Sequence, residues 1–140
     1  MLEVKPQEAD AGMSIAEAAR RTGVSAHTLR YYERAGLVVT AVDRTSGGRR
    51  RYHERDLHWI AVCTKLRATG MPIRTIRRYA ELVAAGPGNE DERLALLEAH
   101  RVQVVAKLAE IQENLKVIDR KIGVYRSSVA AGDVDQLWSP

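Results

Sequence analysis

At 140 residues, with 45% apolar and 29% charged side chains and a formal charge of +4, the chain has room for one small domain and an extension, and its composition excludes disorder throughout. No run approaches the roughly 18 consecutive apolar residues of a membrane span, the opening MLEVKPQEAD lacks a signal peptide's apolar core, and a single cysteine, Cys63, excludes an intramolecular disulfide framework or an all-cysteine metal site within one chain. These features predict a cytoplasmic protein with no membrane partner. The charge is uneven: residues 13–85 hold 14 basic against 6 acidic side chains, a net +8, while the segments on either side are each −2. A basic block of this kind suits a polyanion, because each Lys or Arg that neutralises a phosphate releases counterions; a solvated surface face has the same composition.

Residues 1–12 read as a flexible extension. Two short helical patterns follow, separated by Thr22-Gly23-Val24-Ser25. Ser14 is placed to cap the first helix with Glu17 completing a capping box, and Ile15, Ala18 and Ala19 share one face. Gly23 supplies the left-handed residue that ends it. Ser25 caps a second helix over residues 26–35, where Leu29 and Tyr32 point inward and His27, Thr28, Arg30 and Tyr31 are left for other faces. Two helices joined by a short Gly-containing turn form a helix-turn-helix, whose second helix enters the major groove; a plain helical hairpin carries the same punctuation. Residues 38–42 are rich in β-branched side chains, residues 43–48 are turn chemistry, and Arg49-Arg50-Arg51-Tyr52 reads as a basic return strand. A hairpin tipped with arginines beside a recognition helix is a wing that straddles a phosphate backbone, although charge also guards an edge strand against aggregation.

The run SIAEAARRTGVSAHTLRYYERAGL, followed by RTSGGRRRY and then Asp56-Leu57, resembles the signature of the MerR family over residues 13 to about 126. The resemblance implies a mainly α fold: a winged helix-turn-helix head with a small β-hairpin wing, over residues 13–85, and a long C-terminal dimerisation helix pairing as an antiparallel coiled coil. It also implies a dimer that binds an operator dyad in double-stranded promoter DNA and distorts it so that RNA polymerase can use the promoter. Carried onto this sequence, the DNA contacts are His27, Thr28, Arg30 and Tyr31 on the helix and Arg49, Arg50 and Tyr52 on the wing. Arg30 is the best candidate for a guanine edge, since a guanidinium bonds two acceptors at once.

Helix three is expected over residues 55–69, with Leu57, Ile60, Cys63 and Leu66 on one stripe beside Trp59 and Val62, and Gly70-Met71-Pro72 breaks it. Helix four, residues 73–85, turns Ile73, Ile76, Tyr79, Ala80 and Val83 inward and leaves Arg74, Arg77 and Arg78 outside. The resemblance makes this pair a second wing, with one of the arginines on phosphate; a solvated face fits Arg77 and Arg78 equally well.

After Gly86-Pro87-Gly88, Asn89 is placed to cap an arm helix over residues 89–126, with Glu90, Asp91 and Glu92 in its first turn. Leu94, Leu97, Val104, Leu108, Ile111, Leu115, Ile118, Ile122 and Tyr125 follow a 3-4 spacing interrupted by Arg101. A helix of that length spans roughly 55 Å, and its narrow stripe exceeds what a small head covers, so Leu97, Val104, Leu108, Ile111, Leu115, Ile118 and Ile122 are read as a homodimer seam. Residues 127–140 read as a short, partly disordered tail.

Metal-sensing relatives carry cysteines at the start of the arm and just beyond its end, and this sequence has none at either place; His53, His58 and Cys63, spaced five apart, spread over different helix faces. No metal or cofactor is expected. The DLHWI and LRATGMPI stretches resemble the branch associated with aldehyde or electrophile stress, where a helix-three thiol is the proposed sensor. Here Lys65 stands at the place of that thiol and Cys63 falls on an apolar position, which favours a buried cysteine acting as a small hydrophobe. An enzyme fits poorly, for the chain has no phosphate-binding glycine loop, nucleophile elbow or paired carboxylates. A coiled-coil adaptor or a nonspecific nucleic-acid binder fits the arm but needs neither the charge confined to the head nor arginines at the wing tip.

Overall fold

The computed structural model describes residues 12–39 and 41–132. Within them the chain runs α1 (Ile15–Thr22), α2 (Ala26–Arg34), β1 (Asp43–Arg44), β2 (Arg50–Arg51), α3 (Glu54–Ala68), α4 (Ile73–Ala84) and α5 (Glu90–Ala131), so the mainly α expectation with a small hairpin and a long final helix holds. Short polar residues set the first two helices. Ser14 sits in an extended conformation and its hydroxyl accepts from the Glu17 backbone N–H at 3.2 Å; Ser25 does the same for Thr28 at 3.1 Å. Each satisfies one of the donors that a helix start leaves open. Gly23, at φ 72°, ends α1 in the left-handed region. The turn between the helices is therefore written in Thr22-Gly23-Val24-Ser25.

The wing departs from expectation. Val38, Val39, Ala41 and Val42 do not form the first strand; the ladder pairs Asp43 with Arg51 and Arg44 with Arg50, antiparallel. The β-branched residues before it serve burial instead: Val42 is in the core and Val38 packs against it. The turn closes where Gly48, at φ 82°, donates to the Thr45 carbonyl at 2.9 Å and the Thr45 N–H to the Arg49 carbonyl at 2.8 Å. A second pairing joins Met13 to Tyr52, each backbone N–H donating to the other's carbonyl at 2.7 and 2.8 Å, and so ties the chain before α1 to the end of the wing.

The core of the head draws on all four of its helices and on the segments between the elements: Ala18, Val24, Leu29, Tyr32, Leu37, Val42, Tyr52, Leu57, Ile60, Cys63, Met71 and Ile76. Helices α3 and α4 each start or stop one residue from the positions expected. The Asp56 carboxylate accepts from the His53 backbone N–H at 2.8 Å and closes the start of α3. On α4 it is Leu82 that is fully buried, with Val83 only half-buried.

The beginning of α5 is fastened to the end of α4. The Asn89 side chain, expected as a cap, donates to the Leu82 carbonyl at 2.8 Å and accepts from Arg93 at 2.5 Å, while Arg93 also donates to the carbonyls of Gly86, at 2.6 Å, and Leu82, at 3.1 Å. Leu96 and Leu97 pack against the head core. Leu97, expected in the dimer seam, packs partly on the head core, where these polar ties hold the first turns of α5. The contacts group residues up to Glu98 with the head and those from Ala99 onward as a second unit. Helix α5 continues to Ala131, five residues into the expected tail; residues 1–11 of the expected extension and 133–140 of the tail lie outside the described residues.

Ser25 is the cap on which the start of α2 rests. Ser25→Ala should lower unfolding stability by about 1 kcal/mol, read as a shift of the urea midpoint without a change of slope.

Candidate nucleic-acid interface

Helix α2 buries Leu29 and Tyr32, and this turns its other side outward. His27 and Arg30 are exposed there and Thr28 and Tyr31 half-exposed. The Thr28 hydroxyl is engaged with Ser25, 2.9 Å away. Tyr31 is held from the neighbouring helix, because the Arg67 guanidinium lies 5.5 Å from its ring centre and 5.4 Å from that of Tyr32, within cation–π range. Arg67 was not among the residues singled out from sequence; its spacing from α2 in the chain gives no local signal.

The wing is clamped to this helix by Glu33. Its carboxylate takes Arg44 at 2.8 Å on one oxygen and Arg50 at 2.5 Å on the other. Arg50 therefore reaches the interface already paired, whereas Arg49, at the turn, is exposed and forms no ion pair with a described residue. Arg30 is likewise without an ion pair among the described residues. Both line a groove of about 390 Å³ together with Arg50, Gly48, Ser14, Ile15 and Ala16. The last three open α1, whose first backbone N–H groups carry the positive end of the helix dipole. Uncompensated guanidinium groups facing a helix N-terminus make a seat for an oxyanion. The contribution of the α1 start was missed from sequence, although Ser14 as a cap marks it.

Tyr52 does not belong to this surface. Its side chain is 1% exposed, and the pairing of its backbone with Met13 turns it into the core, so the expected DNA contact is replaced by a structural role. Its hydroxyl has no hydrogen-bond partner among the described residues. Of the α4 arginines, Arg77 donates to the Ala35 carbonyl at the end of α2 at 2.7 Å and Arg78 pairs with Glu92 at 2.6 Å and Glu81 at 3.6 Å. Arg74 and Arg77 are exposed and have no ion pair among the described residues, and Arg77 keeps its charge because its partner is a neutral carbonyl.

No three His, Cys, Asp or Glu side chains among the described residues come together as a metal site, and no described helix is long and apolar enough to cross a membrane. Cys63 is fully buried on α3, and burial pushes its thiol up to about 11.

Comparison with known proteins decides the family. Residues 13–82 match the MerR HTH family of regulatory proteins. The chain belongs to the MerR family. It is 36% identical over 125 residues to an HTH-type transcriptional regulator of Haemophilus influenzae, covering 89% of this chain and 92% of that one. It is 37% identical over 93 residues to the HTH-type transcriptional regulator AdhR of Bacillus subtilis, covering 66% of each. Among solved structures it is similar to HiNmlR, a MerR-family regulator lacking the sensor domain and crystallised bound to promoter DNA, at a TM-score of 0.78 and 36% identity over 86% of this chain and 95% of that one. The MerR signature thus falls on the elements that build the groove. Its Arg-Tyr-Tyr-Glu run supplies Arg30, the held Tyr31, the core Tyr32 and the Glu33 clamp.

A thiol held protonated at neutral pH and shielded from solvent is a poor nucleophile. Cys63 should resist iodoacetamide at pH 8 in the native protein and react fully in urea, as followed by mass spectrometry. Its ordinary value is 9.0, so above that pH the unfolded chain releases a proton the folded chain keeps; this contribution should make stability fall between pH 9 and about 11.

Proposed function

We propose that this MerR-family regulator binds an operator dyad in double-stranded promoter DNA as a homodimer, with α2 in the major groove and the wing on the flanking phosphates. The observation that carries the reading is the groove in which unpaired Arg30 and Arg49 meet the N-terminus of α1 beside the exposed face of α2. In this arrangement Arg30, with His27, Thr28 and Tyr31, reads base edges, and Arg49 and the α1 start position the backbone. Arg50 holds the wing through Glu33 and turns its remaining guanidinium nitrogens to phosphate. HiNmlR, similar over most of the chain, was crystallised on promoter DNA, which supports the same surface here.

The homodimer rests on α5. Leu108, Ile111, Leu115, Ile118 and Ile122 are 42 to 55% exposed, recur at 3-4 spacing, and form a stripe that pairs with the same stripe of a second copy, antiparallel. Val104, half-buried, begins it. Two heads joined in this way occupy half-sites about one helical turn apart and activate by distorting the DNA between promoter elements for RNA polymerase. An adaptor that binds only protein leaves the unpaired arginines of the groove without a role, and the chemistry of the groove is anion binding rather than catalysis.

DNase footprinting on the DNA upstream of the protein's own gene, over a salt series, should show a protected dyad; protection indifferent to sequence would make it a nonspecific binder. Arg30→Ala should weaken operator binding by about 1 to 3 kcal/mol and relax preference at one base pair per half-site. Arg49→Ala should weaken all sequences alike and reduce the salt slope by about one. Equal losses on operator and random DNA for Arg30→Ala would make it a phosphate contact instead.

Leu108→Asp buries a charge in the proposed seam and should convert dimer to monomer in sedimentation equilibrium. An unchanged mass would place the dimer contact elsewhere.

A further inference from the structure

Arg67 stands in the last turn of α3, is exposed, and has no ion pair among the described residues. Its guanidinium lies instead over two rings of α2, 5.5 Å from the centre of Tyr31 and 5.4 Å from that of Tyr32. Those rings are tilted by 57° with their centres 6.4 Å apart, so one planar cation sits against both. The inner ring is anchored. Tyr32 is 3% exposed, and its hydroxyl lies 3.2 Å from Thr64 Oγ1, one turn before Arg67 on α3. Thr64 donates its only hydroxyl proton to the Ile60 carbonyl at 2.8 Å, so Tyr32 is the donor in this contact. The outer ring is half-exposed and packs against the core, yet the Tyr31 hydroxyl forms no hydrogen bond with a described residue. Core and guanidinium thus restrict a ring whose polar end is unspent.

We propose that Arg67 is a positioning residue for operator recognition: its guanidinium holds the Tyr31 ring so that the free hydroxyl is presented to the DNA before binding, and α3 contributes to specificity without touching the DNA. The proposal rests on the reading of α2 as the helix that enters the major groove. A side chain that must be ordered on binding weakens association, and one ordered beforehand does not. The residue type fits this role. A phosphate contact is served by the compact charge of lysine, whereas covering two rings at once calls for a flat, weakly hydrated guanidinium. A cation over a ring near the surface is a modest interaction, which suits the tuning of a contact rather than support of the fold, and the rings leave the arginine its full charge.

The test uses the full-length protein, a duplex carrying the dyad found by footprinting and a random duplex of the same length. Arg67→Lys keeps the charge and loses the flat face. It should weaken dyad binding about three- to fivefold and leave both the affinity for random DNA and the salt slope unchanged. Tyr31→Phe removes only the hydroxyl, and in that background Arg67→Lys should weaken dyad binding no further, the coupling that a double-mutant cycle reads. In the protein without DNA, the Arg67 Nε–Hε cross-peak should move downfield in Tyr31→Leu as the shielding of that ring is lost. The proposal is overturned if Arg67→Lys binds the dyad as the wild type does, if random DNA shares the loss, if the loss persists undiminished in Tyr31→Phe, or if the cross-peak stays in place. Wild-type protein that fails to distinguish the dyad from random DNA removes the DNA reading itself and this role with it, whereas specific binding untouched by Arg67→Lys removes the role alone.

Discussion

One carboxylate sets the geometry on which the rest of the head depends. The wing is a ladder of two residues on each strand, far too short to hold a position by itself. Glu33, on α2, takes a guanidinium from each strand, Arg44 and Arg50. Because the carboxylate is near the surface yet only partly exposed, its two hydrogen bonds are less screened than those of an open surface pair. Together with the Met13–Tyr52 bridge they fix the wing relative to the helix beside it. The groove that receives Arg30 and Arg49 exists only because that relation is fixed.

Much of this was legible in the sequence where a local rule has one solution. Ser14 and Ser25 announce helix starts, Gly23 and Gly48 fall where the backbone needs a positive φ, and the alternation of Leu57, Ile60 and Cys63 marks the buried side of α3. The errors came where one residue type serves two ends. Val38 and Val42 read as strand because β-branched side chains favour a pleated surface, but the same side chains also pack well against a core, and here burial prevailed. Tyr52 stood beside three arginines and so read as part of a nucleic-acid surface, when its place opposite Met13 turns it inward. No spacing in the sequence reveals the Met13 pairing, the reach of Arg67 to Tyr31, or the way Arg93 gathers the end of α4, since each joins residues through the fold.

The arm shows the same limit from the other side. A 3-4 repeat tells which residues share a stripe but not what covers it. Its first turns are covered by the head itself, through Leu96 and Leu97 and the ties of Asn89 and Arg93; farther along, the stripe from Leu108 to Ile122 stays open. A contiguous stripe of apolar side chains left about half exposed is the kind of patch that marks an interaction surface. The beginning of α5 thus packs on the head, while the stripe farther along is exposed, which is the feature on which the proposed pairing with a second helix rests.

The electrostatics of the head resolve in a similar way. Its net charge suggests a diffuse basic surface, yet several cations are spent within the fold: Arg21 on Glu54, Arg44 and Arg50 on Glu33, Arg55 on Asp43, and Arg78 on Glu81 and Glu92. An arginine already neutralised by a carboxylate releases fewer counterions when it meets a phosphate, so the number of basic side chains overstates the salt dependence that the surface can produce. Among the arginines without an ion pair to a described residue, Arg30 and Arg49 lie together where α2, the wing turn and the start of α1 converge. The Glu33 pairs with Arg44 and Arg50 thus leave Arg30 and Arg49 as the uncompensated guanidinium groups of that groove while they hold the wing against α2.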